Sequence, residues 1–391
     1  MTDDPSPFPD PLAAGSPALL PSGLVDLLPP EAEREALLVE AIMAAFAAHG
    51  YERIKPPLLE FEDSLLAGSG VAVAEQTFRL MDPVRQRMMG LRADTTPQVA
   101  RIAGTRLAAE ARPLRLCYAG QVLRVRGTQL APERQVPQAG IELIGTDAAA
   151  ADAEVAVVAT EALAAVGLAP ATLDVTLPTM TPALLDAAGV PAPLAGRLAR
   201  ALDRKDAAAV DALSAQAGPS AAPLPALLRS AGPADGALEA LAAADLPPAA
   251  RAIADNAAAV VAAVRARAPS LRVTLDPVEF RGFRYHVGVA FTLYGPGDTG
   301  ELARGGRYLS PGEEPATGMT LYPNAVLRGA PAAPPRPRVF IPLNSPEAAV
   351  RGLRGEGFAT VAALSAADTP ERLRCTHILR DGRAVPLATQ D

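Results

Sequence analysis

Between Leu114 and Thr146 the sequence gathers residues able to hold a small ligand that carries both acidic and basic groups. Two stretches of strand character, Leu114 to Arg126 and Val136 to Ile144, flank a polar loop containing Gly127, Pro132, Glu133 and Arg134. In the second stretch Pro137, Ala139, Ile141 and Leu143 fall on one face, and Gln138, Gly140 and Glu142 on the other, because strand side chains alternate. In the first, Arg124 and Arg126 are two apart and leave on a shared face, where guanidinium groups suit an anion. The plainer reading is the wet face of an antiparallel sheet. A Gln-Gly-Glu face backed by apolar alternation favours a site.

Further candidates lie on either side. Thr77 to Met81 and Arg87 to Leu91 predict a hairpin about Asp82-Pro83, which delivers Asp94 to a strand-to-helix turn. There Thr96 is expected to cap a helix that has Pro97 in its first turn and runs to about Ala109. Asp94 reads equally well as a ligand contact or as a turn aspartate satisfying local N–H groups. Downstream, Arg304-Gly305-Gly306-Arg307 reads as a glycine-arginine turn able to hold an anion.

The elements that must position these residues are set by pattern and composition. The 391 residues are 49% hydrophobic and 20% charged, enough for a sizeable core. The net charge of -7 argues against a broad basic face for nucleic acid. Cys117 and Cys375, with His49, His286 and His377, show no metal-ligand spacing, so no metal site is expected. Without a signal-like start or a long apolar run, a soluble cytoplasmic protein with no membrane association is expected.

In chain order, residues 1–20 are expected as a tail. A first helix from Pro29-Pro30 to Gly50 carries Leu37, Leu38, Ala41, Ile42, Ala45 and Phe46 as its apolar stripe. Tyr51 to Ile54 reads as a short strand, and Pro56-Pro57 places the segment through Phe61 at a sheet edge or subunit contact. A helix over Ala150 to Val166 and a strand over Ala171 to Leu177 come next, then an alanine-rich helical insertion over about 179–269. Strands return at Leu271 to Leu275 and Tyr285 to Tyr294. A proline-rich linker over 331–338 precedes a small α/β domain over 339–391, with a hairpin about Asp381-Gly382.

With these residues assembled, the stretch from Pro21 to Arg328 resembles the catalytic core of histidyl-tRNA synthetase, a class II synthetase. Leu91-Arg92-Ala93-Asp94-Thr95-Thr96 resembles the family's Leu-Arg-Pro-Glu-Gly-Thr. Arg124 falls on the second-motif arginine, which in the family touches the carboxylate and α-phosphate. Gln138 and Glu142 fall on positions that line the histidine pocket. Arg281-Gly282-Phe283-Arg284-Tyr285-His286 resembles Arg-Gly-Leu-Asp-Tyr-Tyr, and Ala303 to Tyr308 resembles Ala-Gly-Gly-Arg-Tyr with one insertion. The implied fold is α+β: a class II aminoacyl-tRNA synthetase-like core of antiparallel β-sheet flanked by helices, with the small α/β domain behind it.

The departures from that family are as specific as the matches. Ala325 stands where the third-motif arginine would hold the ATP γ-phosphate, and Pro323 is expected to disrupt the helix that motif starts. Arg124-Val125-Arg126-Gly127 lacks the glutamate of Arg-His-Glu-Arg, and the segment after the linker is short for an anticodon-binding domain. Adenylation depends on positioning and neutralising a triphosphate, so this combination implies its loss. It is similar instead to the family of ATP phosphoribosyltransferase regulatory subunits. That resemblance implies a non-catalytic subunit needed by a short-form catalytic subunit and serving histidine feedback in the first step of histidine biosynthesis. It further implies a hetero-octamer, a homodimer through the core near Pro56-Pro57, no cofactor, and no tRNA partner. The ligand pocket, for L-histidine, would use Asp94, Thr96, Arg124, Gln138, Glu142, Arg281, Tyr285 and His286. The rivals are a divergent histidine-tRNA ligase and a synthetase-like paralogue regulating another partner.

Overall fold

The fold is that of a computed structural model, which describes residues 19–127, 132–279, 286–297, 299–332 and 334–387. The contacts divide the chain into two units, Met1–Pro331 and Ala332–Asp391. The first unit contains, in order, β1 Glu52–Arg53, β2 Leu59–Phe61, β3 Arg79–Met81, β4 Met88–Leu91, β5 Leu114–Leu123 and β6 Gln135–Ile144. Next come β7 Thr172–Thr176, β8 Gly232–Pro233, β9 Arg272–Asp276, β10 His286–Tyr294, β11 Glu301–Ser310 and β12 Glu314–Leu321.

β2, β4 and β3 make a three-stranded sheet; the others make a nine-stranded one in the order β1-β5-β6-β12-β11-β10-β7-β9-β8. Its neighbours run antiparallel except β1 with β5 and β7 with β9. A parallel pair needs a long crossover, and the helices between residues 180 and 267 supply it for β7 and β9. The last of them, Pro248–Arg267, lies on Ala149–Ala165 and shares the main core.

Both faces of the nine-stranded sheet are covered along its β5-β6-β12-β11 part. On one side the helices Glu31–Ala48 and Ala149–Ala165 meet Ala139, Ile141 and Leu143 of β6 and Cys117 of β5. Glu31–Ala48 contributes Leu38, Ile42, Met43 and Phe46 to this core, each worth about 1.5–3 kcal/mol of apolar burial. Leu37, expected in the stripe, is 57% exposed, because the buried ridge advances by fours from Leu38 and leaves Leu37 on its flank. On the other side the helix Thr96–Thr105 packs Val99, Ala100 and Ala103 against Leu116, Tyr118, Ile144 and Tyr308. That helix stops short of the expected Ala109 and passes into turns.

The proline pair ends the edge strand β1, and its carbonyls are claimed from inside. Arg92 Nη1 donates to Pro56 O at 3.1 Å, and Gln98 Nε2 donates to Pro57 O at 2.7 Å. Pro323, expected to break a helix, is instead the first residue of the helix Pro323–Gly329. In the first turn its missing N–H costs nothing.

The glycine-arginine segment is not a turn either: Arg304 to Arg307 lie inside β11. Arg307 points away from solvent and donates to Asp152 Oδ2 from Nη2 at 2.9 Å and from Nε at 3.1 Å. It also donates to Thr146 O and Ala148 O, tying β6 to the next helix in the chain. This arginine is spent on the fold.

The second unit has β13 Arg338–Ile341, β14 Ala359–Ala362, β15 His377–Arg380 and β16 Arg383–Pro386 in the order β14-β13-β15-β16. Its helix Glu347–Gly355 sets Val350 and Leu353 among Val339, Ile341 and Leu379. The β15–β16 turn uses Asp381 and Gly382, both at positive φ, as a tight two-residue hairpin demands.

Asp152 is fully buried, and removing it would strand the Arg307 charge in the core. Asp152→Ala is therefore expected to lower the unfolding free energy by about 3–5 kcal/mol, read from the urea midpoint at unchanged slope. A loss below about 1 kcal/mol would mean that the pair is not the brace it is taken for.

Candidate functional site

The polar face of β6 is as buried as its apolar one. Chain alternation puts Gln138, Gly140 and Glu142 on the side of the helix Thr96–Thr105, so polar groups there must find partners within the protein. They find them on the turn that enters that helix. Asp94 Oδ1 accepts from Thr95 N at 2.7 Å and from Gln138 Nε2 at 3.1 Å. Gln138 Oε1 in turn accepts from Thr95 Oγ1 at 2.8 Å and Thr95 N at 3.1 Å, which sets the amide's orientation. Asp94 thus serves its local turn and faces the cleft as well.

Glu142 sits deeper and has no exposed surface. Its Oε1 accepts from Thr96 Oγ1 at 2.7 Å, and its Oε2 from Tyr308 OH at 2.9 Å. Thr96, expected to cap its helix, is the first helical residue instead, and its hydroxyl goes to Glu142 because the buried carboxyl is otherwise short of donors. Register places Gly318 of β12 opposite Glu142 and also opposite Gly306 of β11. A Cβ at 318 would overlap the Glu142 carboxyl, so the glycine makes the space in which this acid lies.

Tyr118, wholly buried, hydrogen-bonds Thr320 Oγ1 at 2.7 Å and lies under Gly140, where a Cβ would strike its ring. His286 begins β10 at the rim beside Arg304, which is paired with Glu301. Together Asp94, Thr96, Gln138, Glu142, His286 and Tyr308 line a narrow cleft, partly open to solvent, whose cavity volume is about 10 Å³.

Burial dominates the electrostatics of this cleft. It pushes Glu142 up to about 8, with the Asp94 charge adding to the shift and the Thr96 and Tyr308 hydrogen bonds opposing it. Burial, with the Arg304 charge, pushes His286 down to about 4. Near neutral pH the cleft therefore holds a mostly protonated carboxyl and a neutral imidazole. A ligand bringing a cationic or N–H group to Glu142 would draw that acid into its ionised form.

The structure brings Asp94, Thr96, Gln138, Glu142 and His286 together around one space. Arg124 stands beside it rather than in its lining, its Nε donating to Ala93 O at 3.4 Å. Arg281 and Tyr285 lie outside the described residues. Arg304, read from sequence as able to hold an anion, lies in the lining, whereas Tyr118, Thr95, Tyr308 and Thr320 were not singled out as site residues from sequence. Tyr308 closes the Ala303 to Tyr308 motif, which was a usable signal, whereas Tyr118 and Thr320 enter only through strand register. Among the described residues no cluster of three His, Cys, Asp or Glu could hold a metal ion, and no helix is long and apolar enough to cross a membrane.

A family model described as histidyl-tRNA synthetase matches residues 23–326. An ATP phosphoribosyltransferase regulatory subunit from Paramagnetospirillum magneticum is 55% identical over 354 residues, covering 90% of this chain and 93% of that one. One from Rhodospirillum centenum is 51% identical over 388 residues, covering 98% of both. Among solved structures, an ATP phosphoribosyltransferase regulatory subunit/histidyl-tRNA synthetase from Bacillus halodurans superposes with a TM-score of 0.77 at 23% identity, covering 93% of this chain and 97% of that one. The histidyl-tRNA synthetase from Nostoc gives 0.74 at 18% identity, covering 91% and 88%. At those identities the likeness speaks for the fold alone, and it is the class II synthetase-like fold seen here.

The raised Glu142 value has a measurable sign. Its proton is bound more tightly in the folded state, so the associated stabilisation is full below its ordinary 4.5 and is lost as pH rises through about 8. Relative to Glu142→Gln, the wild type should lose stability across that window by up to about 1.4 kcal/mol per pH unit. Denaturation curves of the two proteins at several pH values read this directly, and parallel profiles would contradict it.

Proposed function

This chain belongs to the family of ATP phosphoribosyltransferase regulatory subunits, and from that premise we propose that it is a non-catalytic subunit required by a short-form catalytic subunit. In this reading it also serves feedback by histidine in the first step of histidine biosynthesis, in the cytoplasm. The observation that carries it is the 50–55% identity to regulatory subunits over nearly the whole chain. The third-motif position supports it: Ala325 is buried in the helix Pro323–Gly329 and offers no charge to a γ-phosphate. The assembly would be a hetero-octamer whose regulatory chains pair through the synthetase-like core at the edge near Pro56-Pro57.

The retained cleft suits L-histidine. Glu142 would accept from the imidazole N–H, Gln138 and Asp94 would orient the ligand, and Arg124, with Arg281 from the segment before β10, would meet the carboxylate. Tyr285 and His286 would complete the rim. A histidine-tRNA ligase is the second reading, favoured by the family model that spans residues 23–326. It predicts histidine-dependent exchange of pyrophosphate into ATP, whereas the regulatory reading predicts none.

Calorimetric titration with L-histidine, alone and with the catalytic subunit, tests the pocket. Binding should weaken by roughly tenfold or more in Glu142→Gln, which replaces the acceptor of a charge-assisted hydrogen bond. Absence of heat and of any thermal shift in both settings would rule the cleft out as the histidine site.

A further inference from the structure

Among the described residues that line the cleft, Arg304 is the one Lys or Arg. Its place is fixed by register: Arg304 of β11 lies opposite Thr320 of β12, which lies opposite Gly140 of β6, so all three leave the same face of the sheet. Glu142 is two residues along from Gly140 on that face. Ordinary sheet spacings therefore put the Arg304 backbone roughly 10 Å across the sheet and roughly 7 Å along it from that of Glu142. An acid and a guanidinium face one space from its two ends.

The guanidinium is only partly used. Arg304 Nη2 donates to Glu301 Oε2 on the same strand, a rim pair whose side chains are 33% and 27% exposed. Arg304 Nε is shielded from solvent and meets no acceptor among the described residues. Among those residues it is the one buried side-chain nitrogen left so, and the one such polar atom in the cleft's lining. A guanidinium N–H does not deprotonate in a protein, so burying it without an acceptor is unfavourable. The other polar groups of the cleft are already engaged: Asp94 and Gln138 with each other and Thr95, Glu142 with Thr96 and Tyr308.

At about 10 Å³ the cleft admits little more than a water molecule, so a ligand of amino-acid size enters only where part of the wall gives way. Arg304 is that part. Its tip is tied by one weak rim ion pair, and behind it lies a second cavity of about 250 Å³ into which the side chain can shift. Asp174, Asp276 and Glu279 line that cavity. They are engaged themselves, Asp276 and Glu279 by Lys205 and Asp174 by Thr274, but their charge disfavours a ligand's anion there and leaves it on the Glu142 side of Arg304.

We propose that Arg304 is the residue by which the cleft recognises an anionic group, giving way as the ligand enters and closing on its carboxylate through Nε while Glu142 takes the N–H end. Arg304 then sets specificity: the amino acid is held in preference to its counterpart without the carboxylate. It adds to Arg124, which stands outside the lining. The inference rests on the reading of the cleft as an L-histidine site.

The test is calorimetric titration of the full chain with L-histidine and with L-histidinol, which has an alcohol in place of the carboxylate, in wild type, Arg304→Ala and Arg304→Lys. Wild type is expected to prefer L-histidine by about tenfold or more, and Arg304→Ala to lose at least about tenfold for L-histidine while holding L-histidinol within about twofold, with Arg304→Lys between. A merely structural role would weaken both ligands alike. Equal weakening of both, or an unchanged preference in both variants, would overturn the proposal. Arg304→Lys keeps the charge and most of the volume, so it decides the matter where thermal unfolding shows Arg304→Ala to be destabilised. Wild type that binds neither ligand would overturn the L-histidine reading and the proposal with it, whereas wild type that binds both without preference would overturn the proposal alone.

Discussion

The burial of one carboxyl group in the middle of the sheet shapes the rest of the candidate site. Glu142 lies on a strand whose two faces are both covered, so it cannot reach water, and every polar atom around it is arranged to supply what water would have given. Thr96 comes from the helix start, Tyr308 from β11, and the empty space from Gly318 of β12. Three elements distant in sequence therefore have to arrive in one register before the acid is satisfied. The antiparallel run β5-β6-β12-β11 provides that register, and the Arg307–Asp152 pair on the opposite face braces its far strand to a core helix.

Parts of this arrangement are legible in the sequence because they are local. The alternation of Gln138 and Glu142 with Ala139, Ile141 and Leu143 gives the two faces of β6, and Asp381-Gly382 gives a hairpin turn. The misreadings come where one residue type serves two geometries. A threonine before Pro97 can cap a helix or donate across a cleft, and only the position of Glu142 decides. Pro323 can stop a helix or open one, and the end of β12 at Leu321 decides. A Gly-Gly flanked by arginines can be a turn or a strand, and here close approach of β12 across Gly305 requires the strand. Tyr118 and Thr320 were out of reach, since their meeting depends on non-local pairing that no short pattern records.

The family and the geometry bear on different questions. Relatives at 50–55% identity identify the chain as one of the ATP phosphoribosyltransferase regulatory subunits, while the structure shows what a class II synthetase-like core of this sequence retains. It retains a buried acid, an oriented amide and a polar cleft over a glycine floor. Ala325 is buried in the helix Pro323–Gly329.

The most direct measurement is phosphoribosyl-ATP formation by a short-form catalytic subunit, with and without this chain, and then with added L-histidine. The account predicts a rise in activity on mixing that histidine reverses. No rise, with the same catalytic subunit active beside its own regulatory chain, would contradict it.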